Sequence, residues 1–165
     1  MYKRQGESGA IVLTDGKVVL HKSKLPLNEY GFCDAKKMNH LDRFKKFFKA
    51  TDVVAIEHLH SIFGIKASSN WKLAVSFGAL FNWCDLNFKE VLLLRPKAWQ
   101  KIILIEEDIV RDKKEKKDTK KTSRKAVSRL YPDLDLRETT RQKLNDHNYC
   151  DALLIATAAL KQNEV

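Results

Sequence analysis

Residues 52–96 read DVVAIEHLHSIFGIKASSNWKLAVSFGALFNWCDLNFKEVLLLRP, and the order of elements within them decides the fold class. "DVVAIE" (52–57) is nearly all apolar until its last residue, as a strand covered on both faces is expected to be. "NWKLAVSFGALFNWCDL" (70–86) carries apolar residues almost all round, the pattern of a well-buried helix. Trp71, Phe77, Phe81 and Trp83 fall at helical spacings within it, which places them in the core. "EVLLLRP" (90–96) is a second buried strand, and its Pro96 suits the first turn of a helix through "KAWQKIIL" (97–104). Strands separated by helices predict a mixed α/β sheet with helices on both faces.

Outward from this centre, "GAIVL" (9–13) and "KVVLHK" (17–22) are joined by Thr14-Asp15-Gly16, and Gly16 supplies the positive φ that a tight hairpin turn needs. "MNHLDRFKKFFKA" (38–50) spaces Met38, Leu41, Phe44 and Phe48 as a helix does. On the other side come a Lys-rich stretch, a helix over 119–130 broken by Tyr131-Pro132, and a last helix in "NYCDALLIATAAL" (148–160). There is no internal repeat. A chain of 165 residues suits one domain over 1–165 with a core of its own.

Hydrophobic residues make up 44% and charged residues 32% of the chain, the balance of a soluble globular protein, and no apolar run approaches the eighteen or so residues of a membrane span. No secretion-signal pattern opens the chain, so no membrane is expected and a cytoplasmic, reducing setting is. Cys33, Cys84 and Cys150 are odd in number and scattered, which predicts buried, inert thiols rather than disulfides or a CxxC metal site. The net charge is +10, and residues 111–125, "RDKKEKKDTKKTSRK", carry nine Lys or Arg against three Asp or Glu. Such a run is what a solvated loop leading into a helix looks like. On a chain this basic it also fits a surface that tracks phosphates, so nucleic acid is the leading partner class.

Four side chains stand out chemically. Glu57 ends a buried strand, and ligand sites on open α/β sheets lie beyond strand tips; a strand-end acid turning into solvent is the plain alternative. Asp146, His147 and Asp151 cluster where the last helix begins. Asp146 or Asn145 suits a helix cap. Asp151 lies one turn past His147 on a helix built for burial, where an unpaired carboxylate is costly and a bound cation would relieve the cost. Carboxylates gathered from distant parts of a chain hold Mg²⁺ beside phosphate, and paired ions serve phosphodiester hydrolysis. His58 and His60 lack nearby cysteines, which argues against zinc. No P-loop, GxGxxG or GxSxG is present.

Taken in order, these pieces resemble the RuvC-like Holliday junction resolvases of the RNase H-like fold, especially the small bacteriophage-type members. "GESGAIVLTDGKV" (6–18) is similar to the family's GxSGAI hairpin, and "VVAIEHLHSIFGIKASSNWKLAVSFGAL" (53–80) to its strand-end Glu, loop and helix. "LRPKAWQKII" (94–103) resembles its Pro-x-x-Trp-Lys segment and "DTKKTSRKAVSRLYPDLDL" (118–136) its Asp-Lys-x-x-Ser through Phe-Pro-Asp region. "KLNDHNYCDALLIATAAL" (143–160) resembles its terminal Asp-His-x-x-x-Asp-Ala-Leu-Leu-Ile-Ala helix.

The resemblance implies a Mg²⁺-dependent endonuclease, with Mn²⁺ as a substitute, that acts as a homodimer on branched DNA and nicks four-way junctions. By position, it assigns Glu57, Asp146 and Asp151 to the metal, with His147 as a further ligand or proton-transfer group. His60 to Phe63 match the loop that inserts side chains at the opened junction. Ser68, Ser69 and Asn70 match a phosphate-facing helix start, and Lys97, Lys101, Lys117, Lys120, Lys121 and Arg124 track the backbone. One register departs from the pattern. The family's Asp-Pro-Gly-x-Ser-Gly-Ala is replaced by Arg4-Gln5-Gly6-Glu7-Ser8-Gly9-Ala10, so Arg stands where the first, central strand ends in Asp. That strand is expected to be truncated or degenerate. Glu7 is the candidate replacement acid, and the alternative is a catalytically impaired relative that binds branched DNA without cutting it. A basic scaffold that keeps only the fold has no use for the acids retained at 57, 146 and 151.

Overall fold

The computed structural model describes residues 9–40, 53–59, 64 and 66–163. The chain divides into two compact units, one of Met1–Ala10 with Ser23–Pro96 and the other of Ile11–Lys22 with Lys97–Val165. Among the described residues the strands form two separate pairs, β1 (Ala10–Thr14) with β2 (Val19–Lys24), and β3 (Val53–Glu57) with β4 (Glu90–Leu94). The expected α/β mixture is present as small sheets with helices, whereas a single mixed sheet is not formed among the described residues. A truncated central strand before Gly9 lies outside the described residues.

In the first unit, β3 and β4 run parallel, from Val53 opposite Glu90 to Glu57 opposite Leu94. Parallel neighbours need a long crossover, which here contains helix α2 (Ala67–Asn87); α1 (Ala35–His40) packs nearby. Met38, Ile56, Trp83, Cys84, Phe88 and Leu94 are buried. Trp83 donates its indole N–H to Asn39 Oδ1 at 2.8 Å, so a buried ring keeps its polar atom satisfied and ties α2 to α1. The helix expected from Met38 begins at Ala35, and its portion beyond His40 lies outside the described residues.

The expectation of a well-buried α2 is corrected. Trp83 is 2% exposed, whereas Trp71 is 61% exposed and Leu86 75%. A helix apolar on every side carries no pattern saying which side faces the core, so spacing alone misplaced Trp71.

The second unit holds most of the β1–β2 hairpin, together with α3 (Pro96–Ile103) beyond its first residue, a 3-10 turn (Glu106–Asp108), α4 (Thr119–Leu130) and α5 (His147–Asn163). Gly16 in the hairpin turn has φ +90°, and Asp15 Oδ1 accepts from the Lys17 and Val18 N–H groups at 2.8 and 2.9 Å. Asp118 caps α4 by accepting from Lys121 N–H. Helices α4 and α5 pack together over Ala126, Val127, Cys150, Leu153 and Leu154, each buried. Beyond α4, the buried Tyr131 hydroxyl pairs with Thr157 Oγ1 at 2.8 Å.

Candidate functional site

Glu57 is the last residue of β3 and is half-buried. His58 N–H donates to Leu94 O at 2.8 Å, so the backbone ladder continues one step past the acid and fixes where it leaves the strand. Ser68, Ser69 and Asn70 lie in the first turn of α2, whose N-cap residue Lys66 contributes no side-chain cap. Glu7, His60 and Phe63 lie outside the described residues.

In the second unit, Asp146 caps α5. Its Oδ1 accepts from Asn148 N–H at 2.9 Å and Tyr149 N–H at 3.4 Å, and its carbonyl accepts from Cys150 N–H. Asp146 N–H in turn donates to Leu136 O. Asn145 does a different job. Its Oδ1 accepts from Leu136 N–H at 2.9 Å, which fixes the turn that delivers the chain to the helix. Between the two candidate groups Asp146 and Asn145, the cap therefore falls to the acid.

His147 opens α5, and Asp151 follows one turn later; both are half-buried. Burial pushes the neighbouring Cys150 thiol up to about 12, and Asp151 and Asp146 act in the same direction while Arg124 opposes them. Both acids and a guanidinium thus lie within electrostatic reach of one buried sulfur. Arg124 is held there by a 2.7 Å bond from Nε to Asn145 O. The structure brings Asp146, His147, Asp151 and Arg124 together at the start of α5, while Glu57 belongs to the other unit.

Carboxylate oxygens are the donors Mg²⁺ prefers. Among the described residues, however, no three or more His, Cys, Asp or Glu side chains are gathered so as to hold a metal ion. The donor chemistry fits the expected ion, and a complete ligand cage is not formed among the described residues.

The basic residues divide by environment. Lys97, Lys101, Lys120 and Lys121 are exposed. Lys117 is partly covered, donates to Gln100 Oε1 at 2.8 Å, and has its pKa lowered by burial. Residues 111–117 form an ordered turn. Arg111 bridges to Lys117, and Asp112 Oδ1 accepts from Lys114 N–H at 2.7 Å and Lys116 N–H at 3.0 Å.

Sequence reasoning missed Lys22, whose ammonium donates to Asp135 O and Arg137 O, both at 2.9 Å, and sits 5.3 Å from the centre of the Tyr149 ring. It also missed a cleft of about 360 Å³ lined by Arg124, Ser128, Arg137, Lys143 and Asn145 among others. The Lys22 bonds join residues more than 100 positions apart, for which no local signal exists.

The α/β fold of small sheets and helices is similar to that of a solved RuvC. A solved structure of T. thermophilus RuvC in complex with Holliday junction substrate matches 95% of this chain and 94% of its own, with a TM-score of 0.55 and 14% sequence identity. Neither a protein-family model nor a curated protein sequence matches the chain. No helix among the described residues is long and apolar enough to cross a membrane.

Proposed function

We propose that this chain binds four-way DNA junctions and cleaves them as a Mg²⁺-dependent endonuclease, acting as a homodimer. The observation that carries the reading is the fold shared over nearly the whole chain with a RuvC captured on its junction substrate. The retained acids support it: Glu57 at a strand tip, with Asp146 and Asp151 at the start of α5 beside the anchored Arg124. In this role Glu57, Asp146 and Asp151 would hold the ion, His147 would serve as a further ligand or in proton transfer, and a bound divalent cation would supply charge stabilisation to a phosphodiester under attack. Lys97, Lys101, Lys117, Lys120, Lys121 and Arg124 contact the phosphates.

A second reading rests on Arg4, which occupies the register of the family's first acid. A guanidinium there replaces the metal's charge with its own, leaving a protein that binds branched DNA without cutting it.

One experiment decides between them. The full chain is incubated with a synthetic four-way junction in Mg²⁺ and in EDTA, and both retardation and nicking are scored. Symmetric nicks that require Mg²⁺ and vanish in Asp151→Asn support cleavage. A retarded, uncut junction indifferent to metal leaves binding alone. Linear duplex bound equally well would overturn the junction reading itself.

A further inference from the structure

In the first unit, three aromatic rings stand in a row. Tyr30 and Phe32 have ring centres 6.5 Å apart, and Phe32 meets Trp71 edge to face at 5.3 Å. The outer two rings are open to solvent, Tyr30 at 68% and Trp71 at 61% exposure. Isolated exposed aromatics are ordinary. These are different because the backbone holds them in place.

Asn28 Oδ1 accepts from both Tyr30 N–H and Phe32 N–H at 3.0 Å, and Asn28 N–H donates to Phe32 O at 2.9 Å. Gly31 has φ +81° with open space around it, so its conformation rather than crowding calls for glycine. Cys33 N–H then donates to Ser76 Oγ at 3.3 Å, tying the turn to α2 just beyond Trp71. A ring that is already ordered loses little entropy when a flat partner stacks on it. The flanking segments 24–37 and 64–72 carry Lys24, Lys36, Lys37, Lys66 and Lys72 against Glu29 and Asp34, so the surroundings are cationic. Flat π faces within a positive rim suit a ligand with aromatic faces strung on an anionic backbone.

We propose that Tyr30, Phe32 and Trp71 form a stacking platform for unpaired nucleobases of a DNA strand. This rests on the nucleic-acid reading above and adds to it a site for single-stranded DNA, distinct from the acidic residues and from the basic turn at 111–117.

The test uses the full chain and labelled dT12, a twelve-base-pair duplex and a four-way junction, with binding followed by anisotropy. Trp83 and Trp99 are only 2% and 3% exposed, so quenching of tryptophan emission on binding dT12 reports Trp71. Saturable quenching by dT12 is expected in the unaltered chain. Tyr30→Ala and Trp71→Ala, checked for native circular dichroism, are expected to weaken dT12 binding about tenfold each, with duplex affinity changed less than twofold and Trp71→Phe restoring most of the loss. Unchanged dT12 affinity in both variants while the junction still binds would overturn the platform alone. No binding of any of the three DNAs would overturn the parent reading with it. Quenching that grows with protein concentration without DNA would show that the rings join copies of the chain instead.

Discussion

Asp108 is 1% exposed, and its charge is held by a two-pronged grip: Arg129 Nε donates to Oδ1 at 3.0 Å and Nη2 to Oδ2 at 2.6 Å. Arg129 also reaches Ile103 O, and Ile105 N–H reaches the same carboxylate. Removing the cation alone strands a buried anion, so Arg129→Met is expected to lower unfolding free energy by about 3 kcal/mol in urea titrations at pH 7. The Arg129 guanidinium holds the Asp108 carboxyl below its usual range. A carboxyl depressed in the folded state contributes stability above its unfolded value, near 4, and loses it as pH falls through the folded one. The gap between the unaltered chain and Arg129→Met should therefore narrow as pH falls, because the stranded Asp108 of the variant takes up a proton before the gripped one does. Asp146 separates two roles in the same way. Asp146→Asn keeps a capping oxygen and should leave stability within about 0.5 kcal/mol, whereas Asp146→Ala should cost about 1 kcal/mol. Under the proposed function both abolish junction nicking, which separates the metal role from the cap.

Among the elements, the 111–117 turn gives the basic stretch a fixed shape. Glu115 sits at φ +57°, in the left-handed region that costs a residue with a side chain roughly 1 kcal/mol. Glu115→Gly is expected to raise the thermal midpoint, read by circular dichroism, because the turn keeps its hydrogen bonds and sheds that cost. Local chemistry made some elements legible beforehand. Asp118 before and Pro132 after bracket α4, and the expected span over 119–130 is the observed one. The last helix begins at His147, one residue before the expected start, because Asp146 and not a later residue closes its first turn. Strand pairing was less legible, since an apolar run announces a strand without naming its neighbour. The grip of Arg129 on Asp108 and the anchoring of Lys22 were not legible at all, because they join residues 21 and more than 100 positions apart. Of the candidate site, the acids at the start of α5 were read from spacing, while what Asp146 does there needed its backbone partners.

At the scale of the whole molecule, a net charge of +10 makes the proposed DNA binding an electrolyte problem. Junction affinity should fall by about a thousandfold between 50 and 200 mM salt if some six phosphates are neutralised. Combined Lys113→Ala, Lys114→Ala and Lys116→Ala changes should flatten the slope of log affinity against log salt by up to about one per phosphate contact removed. The thiols give an independent measure of integrity. Cys33, Cys84 and Cys150 are all buried, and burial pushes them up to about 11, 12 and 12. Little thiolate exists at pH 8 and none is within reach, so a chromogenic disulfide reagent should titrate no sulfur in the native chain and three in guanidinium.

The parallel pairing of β3 and β4 has an arithmetic consequence. Side chains along a strand alternate, and the observed register sets Ile56 inward, 7% exposed, with Glu57 next to it at the tip. Position along β3 is therefore a matter of parity. Shortening the strand by two residues keeps odd and even positions on their own faces and merely draws the tip inward. Shortening it by one exchanges them, and the acid at the tip trades sides with the isoleucine before it.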